Sequence, residues 1–153
     1  MRTRALFALA LFLFLLAGVL SAQDRPARQY VEPRSAEDAA ALPFSRAVRV
    51  GDTLYLSGAI GLDENRRVPE DAAVEARNVL DQIRDTLAEA GMSMDDLVSV
   101  QVFCSDVSLY DVFNRVYRTY FKREFPARAF IGSGELLFGA RFEVQGIAVG
   151  SEQ

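Results

Sequence analysis

Histidine is absent from this chain. That removes Ser-His-Asp and Cys-His triads, histidine-ligated zinc and any imidazole general base. Acid–base chemistry is left to Asp, Glu, Lys, Tyr, a thiol or water held by backbone groups. Cysteine is almost absent too. Cys104 stands alone, so no intramolecular disulfide forms even in an oxidising compartment. It lies in an apolar run and reads as a buried, inert thiol. No cysteine follows the apolar N-terminal run, which rules out a lipid-modified cysteine there. Positive charge is also short: 17 basic against 21 acidic residues. Internal repeats and low-complexity runs are lacking. Gly132-Ser133-Gly134 does not have the spacing of a phosphate loop. Asp95-Asp96 reads as a solvated corner rather than a metal site.

What is present starts with a leader. Arg2 and Arg4 precede an unbroken apolar run from Ala5 to Leu16, and Ser21-Ala22 offers small residues for cleavage. Residues 1–22 therefore read as a signal peptide. The other reading is an uncleaved anchor, but about 16 apolar or small residues make roughly 24 Å of helix, short of a bilayer core of about 30 Å. Cleavage removes two arginines and no acid, leaving 17 − 2 = 15 basic against 21 acidic residues, a net charge of −6. A chain so charged has no bulk attraction for nucleic acid. The expected location is periplasmic or secreted, with no stable membrane insertion after cleavage.

Residues 23–42 are polar, contain Pro26 and Pro33, and read as a linker or loosely held arm, with a helical turn at 36–41. The domain spans 43–150. Ala47–Val50 and Thr53–Ser57 flank Gly51-Asp52, a Gly-first two-residue turn of the type II′ kind. Pro69–Ala90 reads as an amphipathic helix, with Pro69 at the first helical position and Gly91 just past its end. Its apolar stripe is Ala76, Val79, Leu80, Ile83 and Leu87. Leu97–Cys104 suits an interior strand. Ser108, as N-cap, opens a second helix to about Lys122, with an aromatic stripe that reads as core. Ala127–Ile131 and Arg141–Val149 are the last strands, with a bulge near Gly146. The order β-β-α-β-α-β-β predicts an α+β two-layer sandwich: a mixed sheet with two helices on one face. Strand 97–104 is apolar on both sides, so the second face needs cover, and a homo-oligomer supplies it.

One residue has no evident partner in this layout. Arg128 sits in a strand among small and apolar neighbours. Its charge cannot be neutralised, and its planar fork matches a carboxylate. Strand alternation places Phe130 on the face of Arg128, and Glu143 with Gln145 on one face of the last strand. Two readings stand. Arg128 and Glu143 form a plain ion pair, or Arg128 grips a ligand carboxylate while Glu143 handles a water.

Several stretches taken together resemble the RidA family, also called the YjgF family. They are Pro43-Phe44-Ser45 with Ala47-Val48, Leu56-Ser57-Gly58 with Ile60, Asn114 with Tyr117 and Phe121, Pro126-Ala127-Arg128, and Glu143-Val144 with Ile147-Ala148. The resemblance covers Pro43 to Val149. It implies a chorismate-mutase-like fold, homotrimers with clefts between subunits, and no cofactor or metal. The activity implied is hydrolysis of reactive 2-enamine and 2-imine acids to 2-oxo acids and ammonia. By the same resemblance Arg128 and Glu143 are catalytic, and Phe44, Ser57, Gly58 and Phe130 line the substrate cleft. Two positions depart from the family pattern. Phe44 stands where a tyrosine is usual, so a hydroxyl is missing. Phe130 stands where cysteine, serine or threonine is usual, which narrows and dries the cleft. The alternative function is therefore a non-catalytic trimer that binds a small carboxylate or a protein. Ribonuclease activity, known for some relatives, fits poorly with the acidic balance and the lack of histidine.

Overall fold

A computed structural model describes residues 27–32 and 35–150; the expected signal peptide lies outside them. The described strands are β1 (Arg28–Val31), β2 (Ala47–Val50), β3 (Thr53–Ile60), β4 (Leu97–Cys104), β5 (Ala127–Gly132) and β6 (Phe142–Val149). The helices are α1 (Ala36–Ala41), α2 (Ala72–Glu89) and α3 (Tyr110–Tyr117). The strands form one mixed sheet in the order β1-β2-β3-β6-β4-β5, with β4 and β5 its parallel pair. The α+β class, with α2 and α3 packed on one sheet face, is as expected.

Local chemistry explains most boundaries. Gly51 has φ 59° while Asp52 does not enter the left-handed region, which is what a type II′ turn requires. α2 buries Ala76, Val79, Leu80, Ile83 and Leu87, the stripe read from spacing. It is capped by Asp71, whose carboxylate accepts from Ala73 N at 2.7 Å, so Pro69 lies before the cap rather than inside the first turn. Gly91, at φ 74°, closes the far end. The start of the second helix also differs. Asp106 rather than Ser108 is the capping side chain, accepting from Ser108 N at 2.9 Å. A 3₁₀ turn over Val107–Leu109 then leads into α3.

Two larger differences concern the sheet. Residues 23–42 are not only an arm: β1 pairs antiparallel with β2 and makes a sixth strand. Arg46 holds its exit, donating from its backbone N to Val31 O at 2.9 Å and from Nε to Glu32 O at 2.8 Å. The second difference lies in β6, which keeps strict alternation. Phe142, Val144, Gly146 and Ala148 face the helices and are buried. Glu143, Gln145 and Ile147 face the other way. The expected bulge is not in β6. The extra residues lie in its neighbours, between Leu56 and Ala59 in β3 and between Leu97 and Ser99 in β4. Both irregularities flank Gly146, where a side chain would crowd Ser99 O at 3.0 Å.

The core fills the space between the helices and one sheet face, with Phe113, Phe142, Leu54, Leu80 and Leu87 fully buried. Glu75 is buried among them. Its Oε1 accepts from Arg141 N (2.7 Å) and Phe142 N (3.1 Å), and its Oε2 from Arg141 Nε (2.5 Å). Arg141 also donates to the carbonyls of Pro69 and Glu70. A buried carboxylate survives here because three donors, one of them a guanidinium, meet its two oxygens. Neither α2 nor α3 covers the opposite sheet face. Tyr55, Ser99, Gln101, Gln145 and Ile147 line a shallow cavity of about 310 Å³ there.

Candidate functional site

The residues singled out from sequence fall into two groups. Arg128 belongs to β5, a strand at the edge of the sheet, and points towards α3. Its Nη2 donates to Asn114 Oδ1 at 2.7 Å. Aromatic rings surround its guanidinium carbon: Tyr117 at 4.6 Å, Phe130 at 5.8 Å and Tyr110 at 5.9 Å from the ring centres. These π faces soften the burial of a cation but supply no counter-charge. No carboxylate pairs with Arg128 among the described residues.

Phe130 shares the face of Arg128, as alternation predicts. It packs edge-on against Tyr110 and Phe113, with ring centres at 5.0 and 5.7 Å. Tyr117 stacks between Phe113 and Phe125 and is 4% exposed. Burial pushes its hydroxyl up to about 12, against the opposing pull of Arg128. Asn114 and Tyr117 belong to the resemblance motif, yet spacing alone assigns Tyr117 to the core and gives Asn114 no role. A polar residue one turn before an aromatic on a buried helical stripe is the signal that marks them.

The second group lies around β3 and β6. Glu143 pairs with Ile60 across the ladder, and its carboxylate rests over Gly58. A Cβ on residue 58 would overlap Glu143 Oε1, so only glycine leaves that carboxylate in place. Gly58 sits in the β3 irregularity, between the paired residues Leu56 and Ala59. Ser57 Oγ donates to Ser45 O at 2.8 Å, which draws the Phe44-Ser45 segment alongside. Phe44 is largely exposed there. The fold thus brings Phe44, Ser57, Gly58 and Glu143 to one place.

It does not bring them to Arg128. β4 runs between β5 and β6, and Glu143 points away from the helix face that Arg128 shares. The Arg128–Glu143 ion pair, one of the two sequence-based readings, is excluded within a chain. Gly58→Ala offers a clean probe. The displaced atom is the tip of a flexible side chain, so folding is expected to survive, with the melting temperature within a few degrees. Glu143 loses its resting place, and any activity that needs it should fall about ten-fold or more.

This sheet, with two helices packed on one face, is a shared architecture. Residues 33–150 match the family described as Endoribonuclease L-PSP, and the chain belongs to that family, the group that includes the RidA and YjgF proteins. Among curated proteins it is 36% identical to the 2-iminobutanoate/2-iminopropanoate deaminase of Mus musculus over 109 residues, 70% of this chain and 81% of that protein. It is 39% identical to a RutC family protein of Sulfurisphaera tokodaii over 104 residues, covering 67% and 83%. Among solved structures, the Rid family protein YyfA of Yersinia pestis superposes with a TM-score of 0.73 at 31% identity, covering 80% of this chain and 99% of that one. RidA from an Antarctic Psychrobacter gives 0.68 at 28% identity, covering 83% and 99%.

Proposed function

We propose that two copies of this chain complete one site, and that the site hydrolyses 2-imino acids and their enamine tautomers to 2-oxo acids and ammonia. The observation that carries the reading is the state of Arg128: a cation in an aromatic setting, held by one amide oxygen and paired with no acid. A small carboxylate is the partner its fork fits. Homotrimers with the cleft between subunits would bring Glu143 of one copy against Arg128 of the next. Support for assembly comes from the sheet face that α2 and α3 leave uncovered, with its exposed Tyr55 and Ile131. Deaminases among the relatives support the substrate class.

The chemistry follows from the groups available. Arg128 holds the carboxylate of R–C(=NH)–COO⁻. Glu143 takes a proton from water as the water oxygen bonds to the imine carbon, and it passes that proton to the nitrogen. The product is a carbinolamine. Glu143 then takes the hydroxyl proton as the C=O bond forms and the C–N bond breaks, and it delivers that proton to the departing nitrogen, so that ammonia and the 2-oxo acid result. The irregular strand at Ser57-Gly58 orients the imine. No step calls for a metal or cofactor. Residues 1–22 give the proposal a location: the charge and apolar pattern there is that of an export signal, so the protein acts in the periplasm or outside the cell.

The test is ammonia release from a 2-imino acid generated in situ by an amino-acid oxidase. The expected result is release well above the spontaneous rate. A rate equal to the spontaneous one, with carboxylates still raising the melting temperature, would instead favour a cleft that only binds. The rings of Phe130 and Phe44, which replace smaller or hydroxylated residues of the family pattern, support that second reading.

A further inference from the structure

Two buried side-chain atoms among the described residues lack any hydrogen-bond partner, the Tyr117 hydroxyl and Arg128 Nη1. They belong to one cluster, because the guanidinium carbon lies 4.6 Å from the centre of the Tyr117 ring. Buried polar groups are nearly always satisfied, and leaving one without a partner is costly. Two neighbouring exceptions point to a missing partner common to both.

The chemistry of that partner follows from the atoms. Nη1 can only donate. The Tyr117 hydroxyl, raised to about 12, keeps its proton throughout the neutral range. The cluster therefore presents two donors, and its one acceptor beside them is the Tyr117 oxygen itself, which no donor reaches. A trapped water is a poor answer, since it needs two to four polar partners. The walls around Tyr117 are the rings of Phe113, Phe121 and Phe125, which give a water little to donate to. A carboxylate brings acceptors alone. Half-exposed Phe125 stacks on Tyr117, and half-exposed Tyr110 flanks Arg128, so two solvent-facing rings border the cluster.

We propose that Tyr117 is a second carboxylate-binding residue, its hydroxyl donating to one oxygen of the substrate while Arg128 Nη1 donates to the same group. This deepens the reading above and rests on its carboxylate site, though not on turnover. A tyrosine that sequence spacing places in the core is then half core and half site.

Tyr117→Phe in the mature protein tests it, with pyruvate as the probe and binding read by calorimetry and thermal shift. The ligand-free variant is expected to melt at or above the wild-type temperature, because an unpaired buried hydroxyl has been removed. Its dissociation constant for pyruvate should rise roughly ten-fold, the weight of one hydrogen bond to a charged group. Unchanged pyruvate affinity would overturn the proposal, as would a wild type that binds no pyruvate. So would a ligand-free variant several degrees less stable than wild type, which would mean the hydroxyl is satisfied internally. Tyr117-dependent binding without ammonia release would leave this assignment standing and remove the deaminase reading instead.

Discussion

Arg128→Ala is expected to lower kcat/KM for 2-imino acids by at least about 30-fold, while the protein stays folded. Truncating one partner of a desolvated charge pair costs about 2–5 kcal/mol in binding, which sets the lower bound. Stability should change little. Arg128 makes no ion pair among the described residues, and its guanidinium donates to Asn114 Oδ1. Losing the ring contacts is offset in part by removing the unpartnered Nη1. Pyruvate should no longer raise the melting temperature of the variant. Arg128→Lys should recover only part of the loss, because an ammonium cannot reproduce the fork. Activity within ten-fold of wild type in Arg128→Ala, measured by ammonia release, would mean the carboxylate is held elsewhere.

The largest effect on stability is expected at Glu75. Glu75→Ala removes the acceptor for two backbone N–H groups and leaves the Arg141 guanidinium without its counter-charge, held only by the carbonyls of Pro69 and Glu70. Breaking a buried pair on one side costs about 3–5 kcal/mol. For a domain of this size that lowers the melting temperature on the order of 10–20 °C. Glu75→Gln keeps one carbonyl oxygen for the N–H groups and should lose less. The same site affects function at one remove, since Phe142 immediately precedes Glu143. A loss under about 1 kcal/mol in chemical denaturation of Glu75→Ala would show that water or relaxation replaces the carboxylate.

Sequence patterns carried the helices and the interior strand because their signals are local. The stripe of α2 is buried as its spacing says, and the run Leu97–Cys104 is an interior strand whose Val100, Val102 and Cys104 are buried. The role of Glu75 was illegible for the opposite reason. Its partners are some 66 residues away, and an acid beside Ala76 on a helix looks solvated until the loop before β6 is known. β6 misled in a different way. Val144 and Ile147 suggest a break in alternation, but small Gly146 and Ala148 fill the core positions and Ile147 belongs to the open face. The extra residues were in strands whose pairing no local pattern reveals.

The site shows the same division. Phe130 lies beside Arg128 because both belong to one strand and parity is enough. The expectation that Glu143 meets Arg128 treated consecutive strands as neighbours. β4 pairs with both β5 and β6 and separates them. Parity then decides the rest: Phe142 enters the core, so Glu143 faces away from it. The family motif held information that spacing did not, for it joined Asn114 and Tyr117 to Arg128.

The proposed reaction makes a specific demand, that Arg128 and Glu143 of one working site come from different copies of the chain. Co-expression of Arg128→Ala with Glu143→Gln, each inactive alone, measures this directly. In randomly mixed closed rings a cleft receives an intact arginine from one neighbour and an intact glutamate from the other with probability ½ × ½, so about a quarter of wild-type ammonia release should return. No recovery in mixed oligomers shown by two affinity tags to contain both chains would contradict the shared site.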